Sequence, residues 1–289
     1  MIDEALARIG QVIGKPPGWE RVVRAIVPPQ RYANEGLDLV RQSDGYVFPI
    51  DRGTLIGWTI HFFGAYEPEV RAEIRRRLRP GDTAIDVGAN AGWHTLLMAC
   101  RVGSGGRVVA IEPNPSSRER LEHAIAINRL TNVRVDSRAL ADREGSRPFE
   151  APPAGHVWDG TGRLVDDGVR REPDTRTISV TTIDALAAEH SLDHVALIKI
   201  DVEGWEPAVL RGAANVLRTS RPALIFEYDP AYLQRSGTRA DELTSWLGTF
   251  GYQLHVLRPR GAPLPVAALA ALGRASTNVL ALCGRDDLT

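Results

Sequence analysis

From residue 66 onward, short apolar runs alternate with longer amphipathic stretches, and their order predicts an α/β fold. Residues 83–87 form a strand-length run that ends in Gly88-Ala-Asn-Ala-Gly92, and residues 93–100 can continue as a helix. Residues 108–111 repeat the pattern, followed by Glu112-Pro-Asn-Pro115 and a helix over 116–128 with Ser116 as N-cap. Further strands are expected at 133–135, 195–200, 222–226, 252–257 and 278–282. Helices are expected from Tyr66 to Leu78, with Pro68 at a permitted early position, then through Ala188, from Glu206 to Leu217 and from Asp241 to Phe250. This succession predicts a doubly wound sheet of seven strands in the order 3-2-1-4-5-7-6, the last one antiparallel.

Two parts depart from that rhythm. Ile2, Leu6, Ile9, Val12 and Ile13 follow helical spacing, which Lys15-Pro-Pro-Gly18 stops, and Pro28-Pro29 stops a second helix. Residues 37–40 and 46–50 read as a hairpin around Ser43-Asp-Gly45. Residues 1–65 carry too little apolar content for an independent core and read as an extension covering a main domain of 66–289. Residues 141–178, rich in Gly, Pro, Asp and Arg around Ala151-Pro-Pro-Ala-Gly155 and Val165-Asp-Asp-Gly168, read as an irregular insertion and a candidate lid.

Composition narrows the partners. A net charge of −1 gives no electrostatic footprint for nucleic acid or membrane. Lysine occurs only at Lys15 and Lys199 among 35 basic residues, so the arginine content follows codon usage and says little about phosphate. Cys100 and Cys283 are too few and too far apart for a disulfide framework or a cysteine zinc site. The chain opens without a signal peptide and has no run of about 18 apolar residues, so a cytoplasmic protein is expected.

The candidate chemistry collects at strand ends. Gly88 and Gly92 suit a tight turn whose following helix start favours an electron-rich ligand group. The turn lacks the middle glycine of the dinucleotide fingerprint, where Asn90 stands, and no phosphate-binding G-x-x-x-x-G-K-[ST] loop occurs. Glu112 lies 20 residues after Gly92, the spacing of an acid that accepts from ribose hydroxyls. Lys199 and Asp201 share one face of a strand, where a buried lysine needs a carboxylate partner. Asp201, Glu203, Glu206 and Glu227 gather around the crevice and can supply a general base or ligands for a hard cation. His61 and His94 carry weaker signals.

Taken in order, several segments resemble the FkbM-type methyltransferases: Pro80-Gly-Asp-Thr-Ala-Ile-Asp-Val-Gly-Ala-Asn-Ala-Gly92, Val109-Ala-Ile-Glu-Pro-Asn-Pro115, Val180-Thr-Thr-Ile-Asp184, Ile198-Lys-Ile-Asp-Val-Glu-Gly-Trp-Glu206 with Val209-Leu-Arg-Gly212, and Arg221-Pro to Glu227. The resemblance implies a class I methyltransferase fold, S-adenosylmethionine as cofactor and O-methylation of a small-molecule hydroxyl, of sugar or polyketide type. It implies that Asp86, Gly88, Asn90 and Gly92 hold the methionine part of the cofactor, Glu112 the ribose and Glu67 the amino group. His94 and Asn114 are counted with the cofactor-binding residues. Catalysis falls to Asp201, Lys199, Glu203 and Glu227. No metal ligand set is assigned, although magnesium at Asp201 is compatible, as is a homodimer. The alternatives are an NAD(P)-dependent oxidoreductase and a non-catalytic nucleotide-binding module. Against the first, no Tyr-x-x-x-Lys pair exists, because Gln11 and Val195 stand four before the two lysines.

Overall fold

The computed structural model describes residues 2–284 apart from 14, 16, 17, 34, 153–155, 158, 159, 166–174, 236, 274 and 275. Most of Val165-Asp-Asp-Gly168 and part of the two proline-rich stretches, at 15–18 and 151–155, therefore lie outside the described residues.

Helices α1 (Ile2–Ile13) and α2 (Trp19–Ile26) precede a hairpin of β1 (Leu37–Arg41) and β2 (Val47–Asp51). Helix α3 (Leu55–Phe63) follows, which the sequence pattern did not suggest because its residues are apolar on nearly every side. Thr54 caps it by accepting from Gly57 N–H. Contrary to expectation, the extension does bury a small cluster of its own. Ala7, Val23 and Val27 pack on Trp58, Phe62 and Phe63, and Trp58 Nε1 donates to Val27 O at 2.8 Å.

Next come α4 (Pro68–Arg77), β3 (Thr83–Val87), α5 (Trp93–Val102), β4 (Arg107–Ile111), α6 (Pro115–Ile127) and β5 (Val133–Asp136). The N-cap of α6 is Asn114, not Ser116: Asn114 Oδ1 accepts from Ser116 N–H. The described residues of the 141–178 insertion carry strands that its composition did not indicate. β6 (Ala139–Leu140), β7 (Gly145–Glu150), β8 (Arg163–Leu164) and β9 (Arg176–Thr181) pair as a second sheet in the order β6-β9-β7-β8. Phe149, Leu164 and Val180 give it an apolar face.

The chain returns to the main sheet through α7 (Ile183–Glu189), β10 (Leu197–Ile200), α8 (Glu206–Arg211) and α9 (Ala214–Thr219), with Gly212-Ala213 interrupting the single helix read from the sequence. β11 (Ala223–Tyr228), α10 (Pro230–Arg235), α11 (Ala240–Thr249), β12 (Tyr252–Val256), β13 (Leu264–Val266) and β14 (Thr277–Cys283) complete it. The main sheet runs β13-β12-β14-β11-β10-β3-β4-β5. Its eight strands exceed the seven expected, since β13 adds an edge whose Leu-Pro-Val sequence carries little strand signal. β14 is antiparallel to both neighbours. Apolar clusters cover both sheet faces, so the central strands are buried.

The extension is fastened to this sheet by polar groups as well as by Tyr46, Phe48 and Ile50. Asn128 Nδ2 donates to Val47 O and Ala124 O, and Asn128 Oδ1 accepts from Val47 N–H. Asn128→Ala removes the side-chain partners of both Val47 N–H and Val47 O, and should cost about 1–3 kcal/mol in urea unfolding. A loss below about 0.5 kcal/mol would show that the clamp does not hold the hairpin.

Candidate active site

The site is built where β3, β4 and β10 end. Gly88 has φ +78°, and a Cβ there would lie 1.9 Å from Asp201 O, so two central backbones meet at a position open only to glycine. Asn90 also takes positive φ, at 49°, and Gly92 leads into α5. Glu112, at the end of β4, supports this loop. Its Oε2 accepts from Asn90 N–H at 2.7 Å and its Oε1 from Asn114 N–H at 2.8 Å. Burial pushes the Glu112 carboxyl up to about 7, against the pull of those two N–H groups.

Lys199 sits at the centre of the charge. Its Nζ is 3.3 Å from Asp201 Oδ2, 3.4 Å from Gly88 O and 3.8 Å from Asp86 Oδ1. Burial opposes the ammonium, yet Asp201, Asp86 and Glu67 together push it above the ordinary lysine range. Asp86 is fully buried and accepts from Thr95 Oγ1 at 2.6 Å. Glu67, in left-handed backbone before α4, bonds His94 Nε2 at 2.9 Å and accepts from Asn278 Nδ2 at 2.9 Å. Burial raises Glu67, but His94, Lys199 and Asn278 prevail and hold it below the usual carboxylate range. The Nδ1 atom of His94 is buried without a hydrogen-bond partner among the described residues.

On the other side of Lys199, Asp201, Glu206 and Glu227 bring carboxylate oxygens within 4.8 Å of one another, close enough to share one hard cation. Glu206 braces the loop by accepting from Val202 N–H and Gly204 N–H. Ser276 donates to Glu227 at 2.5 Å, and Tyr232 donates to Glu203 at 2.5 Å. Burial and then the Asp201 charge push Glu227 up to about 8.

Glu67, Gly88, Asn90, His94, Glu112, Lys199, Asp201, Glu203 and Glu227 open on one cavity of about 830 Å³. Phe48 and residues 54–57 form one wall, and Phe149, Val157 and residues 160–164 the facing one. The two meet where Leu55 N–H donates to Val157 O at 3.0 Å. All the expected cofactor-side residues except Asp86 and the α5 and α6 cap residues Gly92 and Asn114 line the cavity, as do Lys199, Asp201, Glu203 and Glu227. Asn114 turns its side chain to capping α6. His61 lies on α3 against Tyr32 and Phe62, away from the cavity. Sequence reasoning missed Tyr66, Trp205 and Tyr232 as lining residues; Tyr66 and Trp205 adjoin acids already singled out, whereas nothing in the pattern marked Tyr232.

The chain matches the methyltransferase FkbM domain family over residues 86–254. It is 30% identical over 139 residues to the hexuronic acid methyltransferase AglP of Haloferax volcanii, covering 48% of this chain and 52% of that protein. It is 32% identical over 162 residues to the 31-O-demethyl-FK506 methyltransferase FkbM of Streptomyces tacrolimicus, covering 48% and 62%. The chain thus spans between about half and three fifths of these relatives. The crystal structure of a methyltransferase FkbM from Methylobacillus flagellatus superposes with a TM-score of 0.45 at 18% identity, over 91% of this chain and 60% of that one.

The buried acids set a pH dependence. Burial raises Glu206 from 4.5 to about 7, so the folded state binds its proton more tightly than the unfolded chain does. That contribution favours folding at low pH and is lost as pH rises from about 4.5 to about 7. Glu206→Gln keeps an oxygen acceptor for the loop and removes the titration. Measured by urea unfolding, it should gain about 1–3 kcal/mol relative to wild type between pH 4.5 and pH 8. An equal difference at both pH values would contradict the assignment.

Proposed function

The chain belongs to the FkbM methyltransferase family, and from that premise we propose that it is an S-adenosylmethionine-dependent O-methyltransferase with a class I sheet. Its acceptor is a hydroxyl of a sugar or polyketide-type small molecule. The observation that carries the reading is the meeting, in one cavity, of the Gly88–Gly92 loop with Glu112 on one side and the Lys199–Asp201 pair on the other. The residues present fit the cofactor: the glycine cradle has no room for a Cβ at Gly88, and buried His94 keeps Nδ1 free of protein partners.

When bound, the cofactor supplies a methyl group already activated on a sulfonium. Gly88, Asn90 and His94 would hold its methionine part, with buried Asp86 and Gly92 shaping the turn behind them, Glu67 its amino group beside His94, and Glu112 the ribose side, while Asn114 caps α6. Asp201 receives the acceptor proton, and Lys199 Nζ, 3.3 Å from its Oδ2, orients that carboxylate. Glu203 and Glu227 accept from the acceptor's hydroxyls. The walls at 54–57 and at Val157 with 160–164 exclude water and fix the alignment of oxygen, methyl and sulfur. A hydroxyl acceptor is supported by one relative, a 31-O-demethyl-FK506 methyltransferase, and a sugar-type acceptor by the other, a hexuronic acid methyltransferase. The acidic lining speaks against nucleic acid as a partner.

Calorimetry should show binding of S-adenosylmethionine and none of NAD. Glu112→Ala should weaken that binding by about 1–3 kcal/mol. Binding of NAD in preference, or an unchanged affinity in the variant, would sink the cofactor assignment. In a screen of sugar and macrolide alcohols, Asp201→Asn should still bind S-adenosylhomocysteine and lose about 10²–10⁴-fold in rate at saturating S-adenosylmethionine. Equal turnover by the two proteins would remove Asp201 from the mechanism.

A further inference from the structure

The cavity wall carries seven carboxylates against Lys199, Arg120 and Arg163. Much of that cationic charge is already engaged. Lys199 is shared between Asp86 and Asp201, and buried Asp86 Oδ1 has no hydrogen-bond donor of its own among the described residues. Arg163 lies 3.7 Å from Glu150. At the inner end, Asp201, Glu206 and Glu227 crowd together. The groups facing Glu227 are Asp201, Glu203 and Glu206 from the loop after β10, Ser276 before β14 and Tyr66 before α4. None of these is a cation. Lys199 pairs with Asp201, and three carboxylates packed this closely cannot all ionise against one ammonium, so the cluster holds either a proton or a second cation. The glycine cradle abuts the same wall, because the missing Gly88 Cβ points at Asp201 O.

We propose that Asp201 and Glu227 form the counter-charge for the cofactor's sulfonium, releasing a proton when the positively charged donor binds and holding one when the cavity contains its neutral product. This rests on the cofactor reading above. The charge balance follows from the transfer. The carbon–sulfur bond breaks, the carbon–oxygen bond forms, and the positive charge that leaves sulfur reappears as the acceptor's proton. Asp201 takes that proton and shares it with Glu227, which restores the protonated pair. The pair therefore favours the donor over S-adenosylhomocysteine and promotes product release, a selectivity that loop contacts to the shared adenosine and amino-acid parts cannot provide.

The test is calorimetric titration with S-adenosylmethionine and S-adenosylhomocysteine at pH 7, low salt and with EDTA present, so that no metal fills the cluster. Wild type should bind the sulfonium compound about tenfold more tightly, about 1.4 kcal/mol. Titrations in two buffers of different ionisation enthalpy should show net proton release for that compound and none for the thioether. Glu227→Gln should abolish the release. Asp201→Asn combined with Glu227→Gln should narrow the preference to within about twofold while leaving the thioether affinity unchanged, which also reports that the variant is folded. If the double variant binds neither compound, proton release in Glu227→Gln alone decides. Equal affinities in wild type, proton release that persists in Glu227→Gln, or a preference undiminished in a double variant that still binds the thioether would overturn the proposal. Binding of neither compound by wild type would instead overturn the cofactor reading, and this inference with it.

Discussion

A single buried ammonium organises the centre of this protein. Lys199 lies on β10 in register with Asp86 on β3, and its charge must be met inside the sheet because a lysine cannot be buried alone. Asp86, Asp201 and Gly88 O meet it from two adjacent strand ends. That requirement keeps the glycine turn and the acidic loop after β10 in contact, so the cradle on one side and the acidic floor on the other share one wall. One cation cannot neutralise every acid nearby, and the excess is displaced onto Glu206 and Glu227, which burial and mutual repulsion keep protonated more readily than usual.

The remainder of the chain turns this strand-end crevice into a cavity. The extension brings Phe48 and α3 over one side, fastened by Asn128 and by Arg71. The Arg71 guanidinium stacks 4.1 Å from the Trp93 ring and donates to Tyr46 Oη at 2.7 Å. Burying that arginine among two rings and Asp44 locks the hairpin, α4 and the start of α5 into one arrangement. The second sheet covers the opposite side, where Trp205 Nε1 donates to Leu164 O at 2.9 Å and Gly160 passes close to the Asn90 side chain. Three of the non-glycine residues in left-handed backbone, Glu67, Asn90 and Glu203, line this cavity, which is where tolerated strain tends to concentrate.

How much of this could be read from the sequence depended on the range of the interactions. The run at 83–87, the glycine turn and the acids after β4 and β10 are local signals, and each stands at the cavity or directly beneath it. Contacts between distant residues left no local trace. Glu67 and Asn278 bond across 211 residues, and nothing near either one announces the other. Glu112 reads as a ribose acid, yet both its oxygens also carry backbone N–H groups, a role that appears only when β3 and β4 pair. The second sheet was missed because β6 and β8 are two residues long and acquire strand structure by pairing, not by propensity. Helix α3 was missed because a helix apolar on all sides lacks the periodicity that marks an amphipathic one.

The central claim is that the β3 turn, the end of β4 and the two covering segments form one cofactor-holding cavity. Hydrogen–deuterium exchange of the full chain, with and without S-adenosylhomocysteine, tests it most directly. The account predicts slowed exchange at residues 88–92 and 112–114, extending to the facing walls at 55–57 and 160–164. Slowed exchange confined to the far edge of the sheet around β12 and β13, with 88–92 unchanged, would contradict it.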